Sequence, residues 1–258
     1  MGYREPMAGQ DSSGGRAPGA RVLLLGGSGE LGRVLVSTLV GEGARVAFTW
    51  HVGEAVAARL REAHPGLLGA KLDLTDVRAT RAAVEALAGE LGGLDALVHA
   101  AALGSAGDGG FDTLASPTEE GWDSLMSVNV KSVFFACQAA APFFGEEGGN
   151  IVFLGSIDGV KTVPSPAPYA ASKGAVSALA RSLAKELGPR KLRVNVVAPG
   201  ILESGASRVI PEHVRAEYLK HSGAHRFGQH EEVARVVAFF ALRNTYVTGQ
   251  SLCLDGGL

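Results

Sequence analysis

Short apolar runs alternate with longer amphipathic segments along most of the chain. The apolar runs have the length of strands and lie at residues 21–26, 44–49, 67–72, 95–100, 150–155, 192–198 and 251–254. The segments between them space their apolar residues as helices do, most clearly at residues 30–39, 54–63, 77–91, 170–187 and 231–242. Strands without a polar face are typical of a parallel sheet covered on both sides. The pattern therefore predicts an α/β fold, a doubly wound parallel sheet with helices on both faces.

The distribution of small and polar residues predicts one folded unit behind a short tail. Residues 8–20 are small, polar and rich in glycine and cannot offset the entropy of ordering, so we expect residues 1–20 to form a flexible N-terminal tail. Residues 21–258 contain no linker, which predicts a single domain of Rossmann type. Two long irregular stretches, 102–120 and 203–228, interrupt it, and long loops in compact domains are usually functional. The second stretch is predicted to form a lid.

Composition and charge exclude several classes of protein. The 258 residues are 46% hydrophobic, which is enough for a large core. With 24 basic and 26 acidic side chains, the net charge is −2, so we expect no nucleic-acid or membrane partner. Neither a spanning segment nor a secretory signal is apparent, and we expect a cytoplasmic protein. Cys137 and Cys253 lack metal-binding or redox spacing, which predicts two buried free thiols and no metal site.

A glycine-rich turn joins the first predicted strand to the first predicted helix. It reads Gly26-Gly27-Ser28-Gly29-Glu30-Leu31-Gly32. Glycine lets backbone approach a phosphate closely, and a helix N-terminus offers free N–H groups to it. The context predicts a dinucleotide site, with an ordinary strand-to-helix turn as the alternative. Glu30 is unusual because a carboxylate repels a pyrophosphate, so we expect it to favour the helix dipole or to point to solvent.

Three polar side chains form a candidate catalytic set. Tyr169 and Lys173 are four residues apart at the start of a predicted helix, so they share one face. A nearby ammonium lowers the pKa of a phenol, and Tyr169 could then exchange a proton with a substrate oxygen near neutral pH. Ser156 follows a predicted strand at its carboxyl end, where ligands bind in such sheets. The tyrosine–lysine spacing alone is a weak motif, and the serine and the glycine turn make it specific.

With these motifs, residues 20–258 resemble the short-chain dehydrogenase/reductase family. The resemblance includes Asn129 within SVNVKS, NVVAPG at residues 195–200 and YVTGQSLCLDGG at residues 246–257. Within the family the chain looks most like 3-oxoacyl-thioester reductases and related ketoreductases. An enoyl-thioester reductase is disfavoured, because in those relatives six residues separate the tyrosine from the lysine, and position 176 here is valine.

The resemblance implies catalytic roles for four residues. Tyr169 would be the general acid in reduction, and Lys173 would lower its pKa and bind the nicotinamide ribose. Ser156 would hold the substrate carbonyl. Asn129 would anchor a water in a proton relay through Lys173; the alternative is a polar residue that ties two strands together, and both roles can hold at once.

The resemblance also implies a set of cofactor contacts. Asp73 would accept from the adenine amino group with Leu74 beside the ring, although Asp73 could instead cap the helix that follows Asp76. The full implied set comprises Gly26, Ser28, Gly29, Glu30, Leu31, Gly32, His51, Asp73, Leu74, Ala100, Ala101, Tyr169, Lys173, Pro199, Gly200 and Ile201.

Three departures from the family pattern leave Ser156, Tyr169 and Lys173 unchanged. Leu25 and Glu30 replace a threonine and the middle glycine of the usual turn, and Gly155 stands where serine is common. The usual NNAG is His99-Ala100-Ala101-Ala102 here, and we interpret His99 as a structural histidine.

The end of the second predicted strand bears on the choice of cofactor. NAD specificity usually needs a carboxylate there, and the sequence reads Phe48-Thr49-Trp50-His51-Val52-Gly53 without an acid. His51 or Thr49 could bind a ribose phosphate, so NADP(H) is predicted over NAD(H).

The predicted function is reduction of a ketone, of 3-oxoacyl or polyketide type among others, to an alcohol. One alternative is an NAD-dependent alcohol dehydrogenase acting on a sugar, a steroid or another secondary alcohol. The other is a non-catalytic NAD(P)-binding sensor or scaffold. The expected partners are a small carbonyl compound, free or linked to a carrier or CoA, and further copies of the chain in a homotetramer or homodimer.

Overall fold

The structure is a computed structural model that describes residues 19–104, 114 and 116–258. The predicted tail, apart from its last two residues, and part of the predicted loop 102–120 lie outside the described residues.

The described residues form a seven-stranded sheet in which every neighbouring pair of strands is parallel. Its strands are β1 (Arg21–Leu25), β2 (Arg45–Trp50), β3 (Leu68–Lys71), β4 (Ala96–His99), β5 (Gly149–Leu154), β6 (Leu192–Pro199) and β7 (Ser251–Leu254). The strand order is β3-β2-β1-β4-β5-β6-β7, so the direction of winding reverses between β1 and β4. A crevice opens at that reversal, at the carboxyl ends of the strands. The predicted fold class is confirmed.

Helices connect the strands and cover both faces of the sheet. They are α1 (Glu30–Gly41), α2 (Glu54–Ala63), α3 (Val77–Leu91), α4 (Glu119–Met126), α5 (Ser132–Ala140), α6 (Ala167–Glu186), α7 (Glu212–His221) and α8 (His230–Leu242). A π-helical turn, Ser127–Lys131, joins α4 to α5. Helix α6 begins three residues before its predicted start, because Pro168 fits the first turn, where no backbone N–H is needed.

Alternate residues of each central strand supply two separate cores. In β1, Leu23 and Leu25 face the core beneath α3, α5 and α6, whereas Val22 and Leu24 face the core beneath α1 and α8. Both sets are fully buried. This two-sided burial explains why the strands read as continuous apolar runs.

Of the two cysteines predicted to be buried, only Cys137 is buried in the structure. Cys137 is buried in α5, and burial raises the pKa of its thiol. Cys253 is half-buried, because β7 lies at the edge of the sheet, so the prediction is wrong for this residue. Within the described ranges, no helix combines the length and the apolar content that crossing a bilayer requires.

Candidate active site

The glycine turn forms one end of the crevice between β1 and β4. Gly26 has a φ of +92°, and a Cβ there would lie 2.6 Å from the backbone of Ala101. A Cβ on Gly32 would overlap the carbonyl oxygen of Gly26. Gly29 precedes α1 without a side-chain cap, and the space around its Cα is open. The first N–H groups of α1 are therefore available to an anion in the crevice.

Glu30 extends from this turn to the segment that follows β6. Its carboxylate accepts a hydrogen bond from Ser204 Oγ at 2.7 Å and lies 3.1 Å from a guanidinium nitrogen of Arg208. The hydrogen bond from Ser204 and the charge of Arg208 hold the pKa of Glu30 below its usual value. The expectation that Glu30 points to solvent is wrong, because the chain after β6 folds back over the turn.

The predicted lid, residues 203–228, contains a short 3-10 helix, Gly205–Val209, followed by α7. Tyr218 of α7 is buried, and its hydroxyl donates to the carbonyl of Asp255 at 2.8 Å. Arg215 lies 4.4 Å from the ring centroid of Phe227 and donates to a backbone carbonyl within the lid. Arg215, whose side chain is 21% exposed, therefore binds the protein itself, whereas the side chain of Arg208 is 67% exposed.

Ser156, Tyr169 and Lys173 meet at the carboxyl end of β5. Ser156 begins a 3-10 turn, Ile157–Gly159, directly after the strand, and the other two lie one helical turn apart in α6. The ammonium of Lys173 lies 5.6 Å from the centroid of the Tyr169 ring and donates to the carbonyl of Leu154 at 3.0 Å. A Cβ on Gly159 would overlap the backbone of Lys173, so glycine allows the serine turn to pack against α6.

Burial is the largest influence on the pKa values of both Tyr169 and Lys173. Desolvation lowers the pKa of Lys173 to about 8, and the negative charge of Asp158 opposes this change. The pKa of Tyr169 is raised, first by desolvation and then by Asp158, while a hydrogen bond with Ser156 acts in the opposite direction. Lys173 is not among the causes of this shift, so the expectation that it lowers the pKa of Tyr169 stays a prediction. Tyr169 stays protonated at neutral pH, which suits a proton donor.

Asp158 is a site residue that our sequence analysis missed. Its carboxylate lies in the wall of the cavity and accepts the hydroxyl proton of Ser156 at an O–O distance of 2.5 Å. The only sequence signal was an acidic residue two positions after the candidate serine, in a loop at the carboxyl end of a strand.

Asn129 lies in the π-helical turn and connects two parts of the site. Its Oδ1 accepts from the backbone N–H of Leu103 at 2.8 Å, and its Nδ2 donates to the carbonyl of Leu103 and to Ser172 Oγ, each at 3.1 Å. These bonds tie the loop after β4 to α6, so the alternative in which Asn129 ties two strands together is wrong. The water-anchoring role stays a prediction.

His99 is buried at the end of β4. Its Nε2 lies 2.9 Å from Ser132 Oγ, and burial, with a smaller effect of Lys173, lowers its pKa to about 3. The geometry agrees with our interpretation of a neutral, structural histidine.

A cavity of about 980 Å³ runs from the glycine turn to the lid. Twelve of the eighteen predicted site residues line it, namely Gly26, Gly29, Glu30, Leu31, Gly32, Ala100, Ser156, Tyr169, Lys173, Pro199, Gly200 and Ile201. The structure thus brings together residues from four separate parts of the chain. It also adds lining residues that we did not predict, among them Asp158 and, on α7, His213 and Glu217.

The other predicted residues lie outside this cavity. Ser28 donates to the carbonyl of Val52 at 2.7 Å and so braces the turn. Leu74 is buried in the core, and its position beside an adenine ring stays a prediction. Asp73 accepts two hydrogen bonds from Thr75 and lies 3.9 Å from His51, at the open carboxyl ends of β2 and β3.

The N-cap of α3 is Asp76, which accepts from two backbone N–H groups of its first turn. The alternative in which Asp73 caps this helix is therefore wrong, and its adenine contact stays a prediction. Ala101 packs behind Gly26, and Asn129 lies behind α6.

Comparison with known proteins assigns the chain to a family. A family model described as Enoyl-(Acyl carrier protein) reductase matches residues 28–258. The 3-oxoacyl-[acyl-carrier-protein] reductase FabG of Thermotoga maritima is 35% identical over 248 residues, covering 94% of this chain and 99% of that protein. A short-chain dehydrogenase/reductase from Serratia marcescens has a TM-score of 0.83 at 32% identity, covering 93% of this chain and 99% of that one.

The chain belongs to the short-chain dehydrogenase/reductase family.

A second structure within the short-chain dehydrogenase/reductase family bears on the cofactor. A short-chain dehydrogenase from Burkholderia cenocepacia, solved in complex with NADP, has a TM-score of 0.82 at 33% identity, covering 92% of this chain and 97% of that one. Membership confirms the resemblance and the oxidoreductase class that the sequence predicted. The spacing of Tyr169 and Lys173, which favoured a ketoreductase over an enoyl reductase, agrees with the similarity to FabG.

The residues of this short-chain dehydrogenase/reductase fit a dinucleotide. The glycine turn has no Cβ atoms where backbone must approach a ligand, and the start of α1 is uncapped. The same cavity continues to the ammonium of Lys173 and to the loop of Pro199, Gly200 and Ile201. The glycine turn and the set of Ser156, Tyr169 and Lys173 thus share one cavity.

Proposed function

We propose that this short-chain dehydrogenase/reductase reduces a ketone to a secondary alcohol with NADPH. The observation that carries the proposal is the meeting of Ser156, Tyr169 and Lys173 at the wall of the cavity that extends to the glycine turn. A non-catalytic sensor would need the glycine turn but not this set of proton donors.

Each member of the set has a distinct role in the proposed reaction. When bound, the reduced nicotinamide supplies a hydride to the carbonyl carbon. The hydroxyls of Ser156 and Tyr169 donate hydrogen bonds to the carbonyl oxygen, and Tyr169 transfers its proton to that oxygen. The ammonium of Lys173 stabilises the phenolate that remains, because a buried positive charge is poorly screened. The lid excludes water from these groups.

We propose NADP(H) as the cofactor because of the side chains at the end of β2. Two acids lie near the end of β2. Glu54 accepts a hydrogen bond from Trp50 Nε1 at 3.0 Å, and Asp73 accepts two from Thr75 and lies 3.9 Å from His51. Glu54 is thus held by Trp50, and the exposed His51 would donate a hydrogen bond to a ribose phosphate. The Burkholderia structure with NADP supports this assignment. We expect kcat/KM for NADPH to exceed that for NADH at least tenfold, and a tenfold preference for NADH would reverse the assignment.

The names of the relatives suggest a class of substrate to test first. FabG proteins are named for 3-oxoacyl groups on acyl carrier protein, so acyl thioesters of this type are the first substrates to test. Oxidation of a secondary alcohol would use the same residues in reverse, and the ratio of forward to reverse kcat/KM separates the two directions.

We also propose a homotetramer in the cytoplasm, with a homodimer as the alternative assembly. Phe134 of α5 and Phe239 of α8 are 40% and 48% exposed, which favours association through these helices. The two free thiols favour a reducing compartment. Sedimentation equilibrium would distinguish the two assemblies.

The central test replaces Tyr169 by phenylalanine. We expect Tyr169→Phe to lose about 10²–10⁴-fold in kcat/KM, the usual contribution of a general acid, while NADPH binding measured by fluorescence persists. Tyr246→Phe is the matched control, because Tyr246 is 92% exposed and remote from the cavity. Full activity of Tyr169→Phe would refute the proposed mechanism. NADPH binding without turnover of any ketone by the wild type would favour the sensor.

A further inference from the structure

Asp158 places a carboxylate beside the groups that would receive the substrate carbonyl. It lies two residues after Ser156 in the 3-10 turn, is half-buried and lines the cavity. Its closest partner is the hydroxyl of Ser156, at 2.5 Å. The side chain therefore faces the reaction site and not the protein surface.

The charge of Asp158 has no ion-pair partner within the described part of the chain. The ammonium of Lys173 acts on it only at a distance, because that ammonium donates to the carbonyl of Leu154. A half-buried carboxylate without a cation is unfavourable. It also opposes the negative charge that develops on a carbonyl oxygen during hydride transfer. A ketone that brings no compensating group should therefore react slowly here.

The hydrogen bond between Ser156 and Asp158 adds a second constraint. A serine hydroxyl has a single proton, and Asp158 accepts it in this structure. Ser156 cannot donate that proton to a substrate carbonyl at the same time. A cationic N–H donor on the substrate would occupy the carboxylate of Asp158 and leave the serine proton for the carbonyl oxygen.

We propose that Asp158 is a specificity-determining residue that selects ketones bearing a protonated amine next to the carbonyl. The amine would bind the carboxylate as a charge-assisted hydrogen bond and would neutralise it during reduction. This inference rests on the proposed function, and it narrows the substrate class within it.

Two other carboxylate side chains line the cavity. Glu30 is paired with Ser204 and Arg208 at the glycine turn. Glu217 of α7 also lines the cavity, but its oxygens lie 3.2 Å from His221 Nε2 and 3.5 Å from Lys220 Nζ. It is therefore already paired on the lid. Glu217→Gln is the matched control for the removal of a carboxylate from Asp158.

The experiment compares aminoacetone with butanone, in which a methyl group replaces the ammonium. The kcat/KM of both ketones with NADPH is measured near pH 6.5 for the wild type, Asp158→Asn and Glu217→Gln. The ratio of the two kcat/KM values is compared between proteins, because intrinsic reactivity then cancels. We expect Asp158→Asn to lower the aminoacetone-to-butanone ratio ten- to hundredfold and Glu217→Gln to leave it unchanged.

The outcomes separate this inference from the proposed function. A ratio that changes less than tenfold in Asp158→Asn, or that falls in Glu217→Gln instead, overturns the inference while ketone reduction stands. Reduction of an acetoacetyl thioester by the wild type, without reduction of aminoacetone, overturns it as well. Failure of the wild type to reduce any of the three compounds overturns the proposed function. Asp158→Ser, which keeps a polar side chain in the turn, gives the same readout should Asp158→Asn fold poorly.

Discussion

Replacing Lys173 by methionine should make the protein more stable at neutral pH while abolishing its activity. Lys173 is only 3% exposed, and desolvation lowers its pKa from the ordinary 10.5 to about 8. Each tenfold change in a proton-dissociation constant corresponds to about 1.4 kcal/mol, so the buried ammonium costs on the order of 3 kcal/mol below pH 8. Methionine has a similar length and carries no charge.

Part of this gain is offset by a hydrogen bond that the variant loses. The ammonium donates to the carbonyl of Leu154, and an unsatisfied buried carbonyl costs about 1–2 kcal/mol. We therefore expect Lys173→Met to raise the free energy of unfolding by about 1–2 kcal/mol at pH 7. Urea denaturation of both proteins without cofactor, at one protein concentration, would measure it.

The stability difference between Lys173→Met and the wild type should also depend on pH. Lys173 has a lowered pKa in the folded state, so its cost is present in full below about pH 8. The cost disappears as the pH rises from about 8 to 10.5, because the folded protein releases the proton before the unfolded chain does. The stability difference between variant and wild type should therefore shrink across this window. A variant that is less stable at pH 7 by 1 kcal/mol or more, or a difference that does not shrink, would refute the reasoning.

Three further changes test the glycine turn, the lid and the helix cap. Gly32→Ala should lower NADPH affinity at least tenfold in a fluorescence titration, because its Cβ overlaps the carbonyl of Gly26. Gly41→Ala, in the same helix with open space around it, should retain the affinity. Glu30→Gln should speed limited proteolysis within residues 203–228, since it weakens a charge-assisted bond to the lid; unchanged cleavage would contradict the link. Asp76→Ala should lower the free energy of unfolding by about 1 kcal/mol in urea, because it removes the N-cap of α3; no loss would count against capping.

Much of the site was predictable because its signals are local. A run of apolar residues forms a buried strand, and the positions of Tyr169 and Lys173 one turn apart follow from helix geometry alone. The glycine turn could be found in the same way, since backbone close approach requires residues without a Cβ. These features depend only on residues within a few positions of one another, so the sequence alone predicts them.

Other features depend on segments that are distant in the sequence. Glu30 meets Ser204 across 174 positions, and no local pattern at either residue indicates the contact. The raised pKa of Tyr169 comes from desolvation and from Asp158, neither of which its own helix reveals. Leu74, a predicted cofactor contact, packs in the core against residues of other segments, and its local sequence does not show those neighbours.

The sequence by itself thus determined the alternation of strands and helices, the glycine turn and the candidate catalytic set, because short-range sterics and periodicity encode them. Only the tertiary structure decided which charges face one another across the cavity. Burial and electrostatic fields arise where separate segments pack together, and this is why Asp158, which is inconspicuous in the sequence, becomes a neighbour of Ser156 in the wall of the cavity.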